Sequence, residues 1–91
     1  MIGLHTRLVP NGAVLGARVG DEAVMMHIEL GRYFTLDPIG REIWQSLAEG
    51  RTLGEVCRHL AEHYDAPQAE IEADVVDLAR RLVERGLATE A

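Results

Sequence analysis

Between Arg32 and Trp44 the sequence RYFTLDPIGREIW passes from strand chemistry to helix chemistry within two residues, which restricts the chain to folds whose strands precede their helices. Tyr33, Phe34, Thr35 and Leu36 are aromatic, β-branched and apolar types that suit a pleated, half-buried surface. Asp37 and Pro38 then stop the strand and start a helix. An Asp carboxylate can accept the free amide hydrogens of a first helical turn, and a proline at the next position has no amide to leave unpaired. One strand edge is thereby left beside a helical bundle.

Upstream of the junction, residues 1–11 carry Leu4, Leu8 and Val9 but run into Pro10, Asn11 and Gly12, a turn-forming cluster that leaves the arm unassigned. From Val14 to Val19 apolar residues recur at every second position, and Gly20–Asp21 is a Gly-X pair suited to a tight hairpin. The spacing predicts a returning strand over Ala23–Glu29, with Val24, Met26 and Ile28 on an apolar face and Met25, His27 and Glu29 on a mixed one. Leu30 and Gly31 make the second turn. The product is a three-stranded antiparallel meander whose last strand, Arg32–Leu36, is an edge.

Three helices follow. The first is expected over Pro38–Glu49, with Ile39, Ile43 and Leu47 in one stripe, Trp44 beside it and Gly50 as its stop. The second opens at Thr52, where T-x-x-E to Glu55 forms a capping box, and its apolar face is Leu53, Val56, Cys57, Leu60 and Tyr64. Asp65, Ala66 and Pro67 break the chain before a third helix over Pro67–Arg85, ended by Gly86. On that helix Ile71, Val75, Leu78 and Leu82 form a core stripe, which Val76, Ala79 and Val83 widen to roughly 160° where about 100° suffices to pack a core. The surplus calls for a cover: the sheet, a second copy of the chain, or a bound peptide.

Ninety-one residues, 47% hydrophobic and 26% charged, allow one domain with one core, over residues 1–91, and no large catalytic scaffold. The net charge of −6 opposes association with phosphate backbones, so no nucleic acid is expected. The single cysteine cannot form an internal disulfide, and no apolar run reaches the length of a membrane span or follows a signal-peptide start. These features predict a cytoplasmic protein without a membrane partner.

Residues 59–63 spell H-x-x-E-H, a spacing shared with one class of zinc proteases. Both histidines fall on the polar side of the second helix, and neither a third ligand downstream nor a cleft is readable, so the expectation is a solvated face without metal. Cys57 lies on the apolar face of the same helix, as an inert buried thiol does. Arg80, Arg81 and Arg85 are interleaved with Asp77 and Glu84, and Asp77–Arg81 is at helix-pairing spacing. There is no phosphate loop and no paired-carboxylate constellation, so the sequence predicts neither an enzyme nor a cofactor.

The order meander, Y-F-x-L-D-P-x-G-x-x-I-W, T-x-x-E-V-C and A-D-V-V-D-L, running from about Val14 to Leu87, resembles the PqqD-like family. Members are leader-peptide recognition elements of ribosomally made, post-translationally modified peptides. The resemblance implies an α+β, winged helix-turn-helix-like fold in which a leader lies as an added strand along the third strand of the meander, against the third helix. By position it implies Tyr33, Phe34 and Thr35 along the peptide, Val75, Val76, Ala79, Leu82 and Val83 in an apolar wall, and Asp74 orienting a polar or basic leader residue. Which edge of the third helix faces the groove stays open.

Within the family the phrase GRYFTLDPIGREIW is most similar to the stand-alone proteins of split lasso-peptide systems, which deliver the precursor to a separate leader protease, a transglutaminase-like cysteine protease. Carriers of the quinone-cofactor pathway, which serve a radical SAM enzyme, tend to show a P-E-G-like turn where this chain has Glu29, Leu30 and Gly31. That pathway is one alternative. Another is a winged-helix DNA-binding protein, against which stand the acidic balance and the lack of a basic recognition helix. A homodimer through the open strand edge is a further expectation for any unpaired edge.

Overall fold

The computed structural model describes residues 2–91. Eight elements follow in order: β1 (Leu8–Pro10), β2 (Val14–Val19), β3 (Glu22–His27), β4 (Arg32–Leu36), α1 (Pro38–Ala48), α2 (Leu53–His63), α3 (Gln68–Glu84) and β5 (Ala88–Glu90). The antiparallel meander β2-β3-β4 precedes three helices, which gives the α+β architecture read from the sequence. Gly20, with φ of 62°, occupies the first position of the two-residue β2–β3 turn, where a type II′ turn requires a residue free to adopt positive φ.

Two strands lie outside that expectation. β1 and β5 pair antiparallel, Leu8 opposite Glu90 and Pro10 opposite Ala88, and tie the two ends of the chain together. The N-terminal arm also completes the start of α2. Thr6 and Leu4 carbonyls accept the Leu53 and Gly54 amides at 3.0 and 2.9 Å, while the Thr52–Glu55 capping box satisfies the next donor. Gly54 lets the arm approach closely there, since a Cβ would sit 3.1 Å from the Leu4 carbonyl oxygen. Met1 lies outside the described residues.

The sheet faces are the reverse of the predicted ones. Ala23, Met25 and His27 are buried against the helices, whereas Val24 and Met26 are half-buried on the outer face and Ile28, beyond the strand, is exposed. Register decides this: Leu36 pairs with Ala23 and Phe34 with Met25, so the side that carries Leu36 into the core carries Met25 with it. His27 tolerates burial because its Nδ1 accepts the Leu30 amide at 3.2 Å. β3 ends there, two residues before the expected Glu29, as the Gly31 amide turns back to the His27 carbonyl at 2.8 Å.

The core lies between the inner face of the sheet and the three helices, built on Leu36, Ile43, Leu47, Leu53, Val56 and Leu60 with residues of α3. Leu8, Leu87 and Ala88, from the paired termini, close it at one end. The surplus apolar width of α3 is therefore met inside the chain. Val76 and Val83 pack half-buried against this core, and Leu4 of the arm shares a surface depression with Val76.

Candidate functional site: the groove between β4 and α3

Among the described residues β4 is the last strand of its sheet, paired with β3 on one side and open on the other. Side chains alternate across it. Phe34 and Leu36 face the helices, while Tyr33 and Thr35 stand on the outer face beside Met26 and Val24. Tyr33 is 71% exposed and stands at the rim, where it lines the depression at the start of β4.

A groove runs between this edge and α3 as two depressions that share Phe34. The first lies by the end of β4, between Thr35, Asp37, Ile39 and Ile43 on one side and Asp74, Asp77, Leu78 and Arg81 on the other. The second lies by the start of β4, among Arg32, Tyr33, His27, Glu84, Arg85 and Leu87. Arg85, just past the end of α3, sets its guanidinium 4.9 Å from the centre of the Phe34 ring and so joins the helix to the strand at the middle of the groove.

The strand-to-helix junction builds the first depression. The Asp37 carboxylate accepts the Gly40 amide at 2.7 Å, and Pro38 opens the helix, as the sequence predicts. Gly40 lets α1 close on β4, since a Cβ there would meet the Leu36 side chain at 3.4 Å and the cap oxygen at 3.1 Å. Ile39, held at the lip by this turn, is 43% exposed and gives the groove an apolar floor open to solvent.

The structure brings Tyr33, Phe34, Thr35 and Asp74 to this groove, but not the predicted apolar wall. Val75, Ala79 and Leu82 have no exposed surface; they are core, and a buried side chain offers nothing to a docking peptide. Val76 and Val83 line neither depression. At about 100° per residue, Val76 sits some 160° around the helix from Leu78, so the edge facing β4 is Asp74–Asp77–Leu78–Arg81. Sequence reasoning followed the apolar arc and missed that polar edge. The signal is present in the i, i+3, i+4, i+7 spacing of Asp74, Asp77, Leu78 and Arg81.

Two other clusters are distinct from the groove. His59, Glu62 and His63 bring one donor atom each within 4.8 Å on α2, and Arg51, Glu55 and Arg58 share the depression that His59 and Glu62 line. Two guanidiniums in that depression and the exposure of Glu62 and His63 fit a solvated face better than a zinc centre. Cys57 is buried, and loss of hydration, followed by the nearby Glu72 charge, pushes its thiol up, away from the reactive thiolate.

A domain whose sheet edge is unpaired among the described residues, with a helix standing along it, offers a surface to which an extended chain can pair. The sequence matches the family described as coenzyme PQQ synthesis protein D (PqqD) over residues 22–88, and the chain belongs to that family. Its fold is similar to a solved structure described as TbiB1 in complex with the TbiA(beta) leader peptide, at 32% identity and a TM-score of 0.83, covering 88% of this chain and 93% of that one. It is also similar in fold to a lasso peptide synthetase B1 complexed with the leader peptide, at 23% identity and a TM-score of 0.85, covering 91% and 98% of the two chains. No curated protein matches the sequence.

Among the described residues no helix is long and apolar enough to cross a membrane.

Proposed function

We propose that this protein binds the leader segment of a ribosomally made precursor peptide as an additional strand on β4, against the Asp74–Arg81 edge of α3, and presents the precursor to a processing enzyme. The observation that carries this reading is the open β4 edge lying along a solvent-facing groove centred on Phe34. Main-chain hydrogen bonds to the edge supply affinity that any extended peptide can use, and the two depressions supply the choice among leaders. The 32%-identical relative, which is in complex with a leader peptide, supports the same reading.

In this role the chain is a carrier and the covalent chemistry belongs to its partner. The partner is a separate leader protease of the transglutaminase-like cysteine type, acting in lasso-peptide biosynthesis in the cytoplasm. The test is fluorescence polarisation of a labelled leader from a small precursor encoded beside the gene, with a scrambled leader as control. Submicromolar, sequence-dependent binding supports a recognition element. Equal binding of both peptides, or concentration-dependent dimerisation that consumes the β4 edge, overturns it.

A further inference from the structure

The two ends of the groove carry opposite charge. At the end of β4 the first depression is lined by three carboxylates, Asp37, Asp74 and Asp77, against the single guanidinium of Arg81, which is already paired with Asp77 at 3.2 Å. At the start of β4 the second is lined by two guanidiniums, Arg32 and Arg85, against the single carboxylate of Glu84. In a chain of net charge −6 the basic end stands against the overall balance. Phe34, which both depressions share, is the apolar point between them, and Ile39 adds exposed apolar surface beside it in the first.

Resting on the proposed strand addition at this groove, we propose that the charge pattern fixes the direction of the bound peptide and selects its composition. The ligand is an extended segment with basic residues first, an apolar middle, and acidic residues last. β4 runs from Arg32 to Leu36, and antiparallel pairing, somewhat stronger per residue than parallel, brings the N-terminal part of the peptide in beside Leu36 and Asp37 and takes its C-terminal part out beside Arg32. Basic side chains then meet the acidic depression and acidic ones the basic depression. A strand of the same composition inserted the other way places like charges together at both ends.

The ends act separately. Five residues of extended chain separate Arg32 from Asp37, about 17 Å, roughly twice the screening length at physiological salt. Each end therefore reads only the part of the peptide beside it. Long Lys and Arg side chains suit the first depression doubly, since their aliphatic stems can lie on the exposed Ile39 while the charged head reaches Asp74.

The experiment is a selection of displayed random 15-residue peptides on the immobilised protein at physiological salt, repeated on the double variant Arg32→Glu/Asp74→Lys. Both positions are exposed, so the domain keeps its core. The expected result is enrichment of peptides with Lys or Arg ahead of an apolar stretch and Asp or Glu behind it; on the variant, whose first depression is neutral and whose second is negative, that order should be lost and Lys or Arg should be enriched behind the apolar stretch. Resynthesised with its charged ends exchanged, an enriched peptide should bind roughly tenfold more weakly at low salt, with the difference shrinking at high salt. Edge-dependent binders without charge order, or with the same order on the variant, overturn the polarity and leave the groove reading standing. Should the selection give no binder whose affinity falls on Thr35→Pro, the groove reading goes, and the polarity with it.

Discussion

The Arg85 guanidinium lies 4.9 Å from the centre of the Phe34 ring, and through this contact the end of α3 is tied to the middle of the open strand. Phe34 is half-buried and Arg85 exposed, so the pair stands at the surface where a cation over an aromatic face contributes about 0.5–1 kcal/mol. Arg85→Ala should lower the unfolding free energy by that amount in urea titration. Arg85→Lys should restore part of it. A loss well above 2 kcal/mol would mean that Arg85 has a structural role beyond this contact.

Strand addition has a signature in the backbone of β4. Because β4 pairs with β3 on one side only, alternate amides between Arg32 and Leu36 point to β3 and the others point outward. Hydrogen exchange of the free protein should show one set protected and the interleaved set exchanging fast. A bound leader should slow the fast set and leave the other nearly unchanged. Uniform slowing of α3 amides with no change in β4 would place the peptide elsewhere.

The helix edge that faces the groove makes a paired prediction. Val76→Asp, half-buried on the flank away from β4, should lower stability but leave the leader affinity of the folded protein within about twofold, because the position touches neither depression. Asp74→Lys, on the groove edge, should change affinity for leaders with basic N-terminal residues by roughly tenfold. Leu82→Ala should instead remove about 2–5 kcal/mol of stability, as expected for a fully buried leucine. If Val76→Asp abolished binding in a folded protein, the groove would have to be moved around the helix.

Much of the fold was legible because its decisive signals are local. The Asp37–Pro38 junction and the Thr52–Glu55 capping box are readable within a few residues, and both form. What escaped depended on partners far apart in the chain. Leu8–Pro10 is too short to show a period, and it becomes a strand only because Ala88–Glu90 lies opposite. The inward face of β3 was misassigned because Val24 and Met26 look more apolar than Met25 and His27, while the register with Leu36 and Phe34 fixes which side meets the helices. On α3 the apolar arc indicated the core and its flank. The groove edge is polar, and hydrophobic periodicity is blind to it.

Asp37 serves the fold and the groove at once. Its carboxylate caps α1 through the Gly40 amide and lines the acidic depression. Asp37→Ala should cost about 1 kcal/mol of stability through the lost cap, and should also weaken binding of a leader with basic N-terminal residues. Asp37→Asn separates the two effects: it keeps a good capping oxygen while removing the charge, so stability should stay nearly constant as affinity falls. Equal stability losses for Ala and Asn would show that the charge, and not the hydrogen bond, holds the helix start.

α1 and the end of α2 are joined by the Tyr64 hydroxyl, which donates to the Glu42 carboxylate at 2.7 Å. That hydrogen bond is the main reason the phenol is pushed up from its ordinary value, with burial and the Glu42 charge adding to it. A phenol whose pKa is higher folded than unfolded stabilises the fold while it stays protonated. The contribution is present below the unfolded value of about 10 and is lost as pH rises from there through the folded value. In a Tyr33→Phe background, where Tyr64 is the remaining tyrosine, phenolate absorbance should titrate at higher pH in the folded protein than in urea. Glu42→Gln should bring the folded titration back towards the ordinary value, and the urea midpoint should then fall less steeply with pH above 10. Superimposable titrations of the folded protein with Glu42 and with Gln in its place would show that the bond does not hold in solution.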